Sequence, residues 1–276
     1  MLYARCFLIA LSILALSCGD KTGEPMGATD GGDGGLSSDE TAAFEASGGA
    51  LAVNLEVTTL ANGLFSFDPT IDPKRTPSQN ASAIGGTARS SFGKPCAKIS
   101  LSGADVTVSF GAPPGCTLAN GDIVSGTVEV ALSHAGGTTT ATLTLTQVVY
   151  DGVPLAGTAS FATSDGSTFT VKTSLESSGK SDSADLMLKG SSGSFSLSGT
   201  ASITQGSTTT ALTLTDVIVT EGECYATAGS IGVMMGSASE TLTFDATTPQ
   251  TGKVAVQVGK VMTTLTLPTY GSCPSG

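Results

Sequence analysis

The chain has 276 residues, including 36 Gly, 35 Ser and 40 Thr, with 13% charged residues, 5% aromatic residues and no Trp. A formal net charge of −11 excludes the basic character of a nucleic-acid binder. There is no three-residue Gly period, so a collagen-like rod is excluded, and Ala, Glu, Lys and Leu are too few for a coiled coil. The 39% hydrophobic share is enough to build a folded core.

Residues 1–5 end in the positive charge of Arg5, and residues 6–16 are almost wholly apolar. A helix of that length rises about 16 Å, too short for a bilayer core of roughly 30 Å. Charge order and length together describe a secretory signal over residues 1–17. The tetrad Ala15-Leu16-Ser17-Cys18 resembles the lipobox of bacterial lipoproteins, although Ala15 stands where those boxes prefer Leu. Ordinary small-x-small cleavage would cut the same bond. Cysteine arithmetic separates the two routes. Cys18, Cys96, Cys116, Cys224 and Cys273 leave an odd number in an oxidising compartment, and lipid on Cys18 leaves four that can pair. Stable anchoring takes the two or three acyl chains of a lipoprotein N-terminus.

Residues 18–36 are Gly-rich and acidic with almost nothing apolar, the composition of a flexible tether. The Asp30 and Asp33 run lacks the converging oxygens of a calcium loop. Residues 37–95 form a helical or irregular segment. Ser37 and Glu40 have capping-box spacing, and residues 51–57 alternate in a way that suits strand or helix. Residues 68–95 carry Pro69, Pro73, Pro77 and Pro95 and read as a long irregular connection.

Residues 96–276 read as an antiparallel β domain. Short runs alternate apolar and polar positions between Gly-rich turns, for example Val128, Val130 and Leu132, or Val254, Val256 and Val258. Thr fills the other parity and suits a solvated face. About a dozen such runs predict an all-β fold, an antiparallel meander in an open or partly closed barrel or a sandwich. A unit of Gly, a usually small residue and two alternating apolar positions recurs at Gly126, Gly157, Gly199, Gly229 and Gly252, and predicts a turn or bulge before each strand.

A longer duplication relates residues 140–152 to residues 210–222. In each copy the apolar parity flips, from Leu143 and Leu145 to Val148 and Tyr150, and from Leu212 and Leu214 to Val217 and Val219. Keeping one face buried through such a flip takes an extra residue. β-Bulges are therefore expected near Thr146-Gln147 and Thr215-Asp216.

The four remaining cysteines allow three pairings. Cys116 and Cys273 each follow an alternating run and a Pro/Gly loop, and this repeat favours Cys96–Cys116 with Cys224–Cys273. Zinc is disfavoured because no C-x-x-C occurs.

Cys18, the run VTVSFGAPPGC at residues 106–116, the unit Gly126-Thr127-Val128 and the segment from Cys224 to Gly229-Ser230 together resemble uncharacterised bacterial lipoproteins with a Gly/Thr-rich antiparallel β domain. The resemblance covers roughly residues 90–276. It implies fold and location, and that group has no activity to carry over.

No catalytic motif stands out. His134 is the single imidazole and sits in an expected hairpin loop, with no Ser-His-Asp network around it. No Gly-x-Ser-x-Gly elbow occurs. Ser-x-x-Lys occurs at Ser91/Lys94 and Ser177/Lys180 at about the chance rate, and Gly93 and Pro95 oppose a helix at Ser91. Glu221 with Glu223, and Asp182 with Asp185 in a Ser-rich turn, read as solvated loop charge. Tyr150, Tyr225 and Tyr270 are too few for a sugar-stacking face or for the aromatic girdles of a transmembrane barrel.

The expected protein is therefore a lipid-anchored cell-envelope protein with a non-catalytic binding or structural β domain, without metal or cofactor. Its location is the bacterial envelope, at the outer membrane on the periplasmic or surface side. Its partners are the membrane, through the N-terminal lipid, and an apolar ligand or an envelope protein, with no nucleic acid. A lipocalin-like carrier with an unfilled interior is the alternative, and an envelope hydrolase is a third reading without motif support.

Overall fold

A computed structural model describes residues 71–92, 96–118, 123–150, 152–177, 179–191, 194–220, 223 and 225–266. Cys18, Cys224, Cys273 and the expected signal and tether lie outside these residues, as does the 37–70 part of the N-terminal segment.

The first element corrects the irregular connection expected over residues 68–95. Pro77–Phe92 is an α-helix, α1. Its start is a capping box in Thr76-Pro77-Ser78-Gln79. The Gln79 N–H donates to Thr76 Oγ1 at 3.3 Å, and the Thr76 N–H donates to Gln79 Oε1 at 2.9 Å. Pro77 occupies the first helical position, where its missing N–H costs nothing. Buried Asn80 exchanges hydrogen bonds with the Asp72 backbone at 3.0 and 3.1 Å, fixing the entry of the chain. Ala81, Ile84, Ala88 and Phe92 form the buried stripe. Half of the stripe is Ala, so little in the sequence distinguishes this helix from a loop. Packing holds it: Phe92 meets Phe110 edge-on at 5.3 Å between ring centres. A Cβ at Gly85 would stand 2.8 Å from Leu101 Cδ2.

Among the described residues, thirteen antiparallel strands follow as one meander in a single sheet, with each strand paired to its sequence neighbours. They are β1 (Lys98–Ser102), β2 (Asp105–Thr117), β3 (Ile123–Ala135), β4 (Thr138–Tyr150), β5 (Val153–Thr163), β6 (Thr168–Ser177) and β7 (Lys180–Ser191). The second half comprises β8 (Ser194–Gln205), β9 (Thr208–Thr220), β10 (Ala228–Met235), β11 (Ala238–Phe244), β12 (Lys253–Val258) and β13 (Val261–Thr266). A four-residue helix, α2 (Thr248–Thr251), joins β11 to β12. Among the described residues the sheet is open: β1 and β13 are its edges and no pairing closes it into a barrel.

The alternation read from the sequence becomes two faces. Val106, Val130, Leu143, Ala159, Thr173, Ala184, Ala201, Leu212, Val233, Glu240 and Val258 lie in one inward row across β2–β12. The outward row beside it runs Ser100, Thr107, Glu129, Thr144, Thr158, Ser174, Ser183 and Ser202. Sheets wider than about ten strands curl. Here the inward residues from α1 to β12 join in one contiguous apolar core. The helix lies against the inward face of β1–β3.

Both expected bulges are present. The β4–β5 register jumps from Leu145 to Val148, and the β8–β9 register jumps where Leu197 pairs with Val217 and Gly199 with Leu214. Gln147 and Asp216 take φ of 51° and 46°, the left-handed region that non-Gly residues enter at a cost. Ser198 Oγ accepts from the Asp216 N–H and donates to its carboxylate, both at 3.1 Å.

The repeated glycines correct the expectation of a turn or bulge before each strand: four of them lie within strands, at or beside register shifts in the pairing with a neighbouring strand. Gly126, Gly157 and Gly199 lie inside β3, β5 and β8, and Gly229 inside β10. Only Gly252 precedes its strand, as the C-cap of α2. The reason is contact between backbones. A Cβ at Gly126 would fall 2.2 Å from Gln147 O, and one at Gly229 would fall 2.3 Å from Asp216 O. Each bulge therefore presses on a neighbouring strand that must lack a side chain.

Gly126→Ala and Gly229→Ala should each destabilise the fold by at least about 2 kcal/mol, through positive φ plus overlap with backbone. Gly136→Ala meets open space in a hairpin turn and should cost only about 1 kcal/mol. Urea unfolding of the three variants checks this ranking, and equal losses would contradict it.

Candidate functional site

Three places on the described domain concentrate polar chemistry: a groove on the outward face, an acidic residue on the inward face, and a disulfide at the helix–sheet junction.

The disulfide joins Cys96 to Cys116, twenty residues apart, as the sequence repeat favoured. It ties the chain leaving α1 to the far end of β2. The Pro/Gly stretch before Cys116 is not the loop expected but an excursion within β2. Gly111 pairs with Gly126 and Cys116 with Val124, so residues 112–115 have no ladder partner on β3.

That excursion forms one wall of a groove of about 920 Å³ at the end of the sheet carrying the β4–β5, β6–β7 and β8–β9 turns. Ala112 and Pro113 face Gln147 and Val149 of β4, Pro154 and Ala156 of β5, and Glu176 of β6 across it. The bulge builds this surface, because it turns Gln147 and Val149 outward while Val148 and Tyr150 stay buried. Lys180 borders the groove and is engaged in a contact of its own. Among the described residues, no hydrogen bond or ion pair engages the exposed Glu176 carboxylate. The sequence marks Gln147 and Val148 by the parity flip, Gly126 by the repeated unit, residues 111–113 within the run before Cys116, and Ser177 with Lys180 as Ser-x-x-Lys, but no pattern in it brings these groove residues together. Pro113-Pro114 and Pro154 inside alternating runs were the available signal, since proline within a sheet marks an edge or bulge.

Asp182 and Asp185 correct the expectation of a Ser-rich turn. Both lie inside β7, where the one-residue parity sets their fates. Asp185 faces outward opposite Lys172, with Nζ–Oδ2 at 2.9 Å, an exposed pair of small energetic weight. Asp182 faces inward between Leu175 and Ile203. Burial pushes its carboxyl up from 3.8 to about 6. The hairpin acids behave oppositely. Backbone N–H groups of Thr168 and Ser167 hold Asp165 down at about 2, and the Thr247 hydroxyl and N–H lower Asp245. These two are turn caps.

Among the described residues, the remaining sequence candidates lie apart from one another or pair only across turns. His134 is a strand residue of β3, not a loop residue, and its Nδ1 lies 2.8 Å from Thr139 Oγ1 on β4. Ser91 lies in the last turn of α1, against expectation, because the helix ends at Phe92 just before Gly93 and Pro95. Lys94 and Glu221 lie outside the described residues. Ser177 and Lys180 face each other across the β6–β7 turn, with no helix to present the serine. Tyr150 and Tyr225 are buried in the core, and Tyr270 lies outside the described residues. Among the described residues, no three His, Cys, Asp or Glu side chains converge as metal ligands, and no helix is long and apolar enough to cross a membrane.

No protein-family model matches this chain, and no curated protein or solved structure matches it either.

Asp182 links pH to stability. The unfolded chain releases this proton near 3.8 and the folded chain near 6, so the folded state binds more protons between those values. Stability therefore falls as pH rises through that window and stays lowered above it. Asp182→Asn should stabilise the protein at pH 8 by on the order of 2 kcal/mol and give no gain at pH 3.5. Thermal melts at both pH values check the sign.

Proposed function

We propose that this chain is a lipid-anchored protein of a bacterial cell envelope whose β domain binds or scaffolds a partner without catalysis. The observation that carries the reading is the Cys96–Cys116 disulfide taken with the cysteine count. A bridge of this kind suits an oxidising, exported compartment. There, Cys18 is the residue whose lipidation would leave an even number of cysteines behind it.

The rest of the chain supports this reading. The apolar run at residues 6–16 and the tetrad ending in Cys18 would supply export and anchor, and residues 18–36 would hold the domain off the membrane. The outward face presents rows of Ser and Thr, which keep a broad sheet soluble beside the membrane. Net negative charge argues against direct adhesion of the domain to anionic lipid. A domain offering a groove, and no assembled acid–base or nucleophile set among the described residues, fits binding better than turnover.

Radioactive palmitate incorporation in wild type and Cys18→Ala tests the anchor. Label should enter the wild type and be lost from the variant, whereas equal labelling of the two would end the lipoprotein reading.

A further inference from the structure

We propose that the open edge of β13 is a docking surface for the chain's own residues 51–57, which add to it as a further strand.

The two edges of the sheet differ. β1 has only five residues, includes Lys98 and packs against α1, all of which hinder edge pairing. β13 is Val261-Met262-Thr263-Thr264-Leu265-Thr266, with no charge, Pro or Gly, and its register with β12 is unbroken. Among the described residues, no strand meets its other side. Burial drops at the same place. Val254 and Val258 of β12 are buried, whereas Leu265 and Val261, directly opposite them on the same inward face, are only half-buried. Another strand with apolar residues at alternate positions would satisfy the main chain and cover that face together.

The chain itself carries such a run. Leu51, Val53, Leu55 and Val57 alternate with Ala52, Asn54 and Glu56. The pattern alone suits strand or helix, and an open edge beside a half-covered apolar face selects the strand. Residues 267–276, which follow β13, carry no such alternation. Reach is sufficient. Residues 58–70 lead to Ile71 in the core and span roughly 43 Å when extended, about twice the roughly 20 Å of a six-residue strand.

Charge points the same way. The β12–β13 hairpin carries Lys253 and Lys260 and no acid, while residues 37–70 carry Asp39, Glu40, Glu45, Glu56 and Asp68 and no Lys or Arg. A second copy of the chain would instead set lysines against lysines across the edge, which like charge disfavours. A tethered segment also meets the edge at an effective concentration on the order of millimolar.

Hydrogen exchange of the full chain, read by mass spectrometry on peptides covering β13, tests the inference. All β13 amides should be protected, those facing β12 and those facing the edge, equally at low and high protein concentration. Val53→Pro should release the edge-facing amides while peptides from β6 and β7 keep their protection. Glu56→Lys should speed exchange at the edge about threefold, as loss of an exposed ion pair allows. Fast exchange of the edge-facing amides in wild type would overturn the proposal. So would protection that grows with concentration, which would assign the edge to a second copy, or protection that survives Val53→Pro. If Val53→Pro unfolds the sheet, Glu56→Lys decides, and unchanged exchange there counts against the docked segment.

Discussion

Backbone contact between a bulged strand and a glycine on its neighbour is the constraint on which this sheet depends. β4 and β9 each change the parity of their apolar residues partway along. Each keeps its buried face by inserting one residue, Gln147 or Asp216, in a left-handed conformation. The inserted residue drives its peptide toward the next strand, and only glycine leaves room there. Gly126 lies beside the first bulge and Gly229 beside the second, each with a neighbouring carbonyl where a Cβ would stand. Gly157 and Gly199 flank the same two strands on their other sides, on β5 and β8, with positive φ of their own. The two clusters are copies of one arrangement, which is why the duplication is visible in glycines as well as in apolar residues.

The outer surface follows from that arrangement. A bulge increases local twist and re-aims side chains, and β4 uses it to present Gln147 and Val149 opposite the β2 excursion. The groove is thus a by-product of the same event that keeps Val148 and Tyr150 in the core. On the inward face the cost of strict alternation falls on Asp182. Its place in β7 puts a carboxylate among Leu175 and Ile203, and its proton affinity rises because the charged form loses solvent there. Asp185, three residues on, has the opposite parity and rests in water beside Lys172.

Strand existence and the bulges were legible because both are periodic. A period of two is visible wherever one face is apolar, and a broken period names its own defect. The Cys96–Cys116 bridge was legible because the run before Cys116 recurs before Cys273. Helix α1 was not, since half of its buried stripe is Ala, which adds little to an apolar period. Its capping box, Thr76 to Gln79, was the local signal passed over among four prolines. The placement of Asp182 was missed because neighbouring serines imitate a turn, while β7 is held straight by ten paired residues on β6 and twelve on β8.

The order of residues was sufficient to specify an antiparallel β domain, the parity of its apolar alternating strands, the two bulges and one disulfide, because each of these is a local pattern or a spacing. Which strands would lie across from one another was equally local, since a meander pairs every strand with its successor. The openness of the sheet, the helix laid on its inner face, the glycines as spacers between strands and the groove between β2 and β6 came only with the folded arrangement. They depend on side chains and backbones that meet from positions far apart in the chain, and no periodicity along one segment records such a meeting.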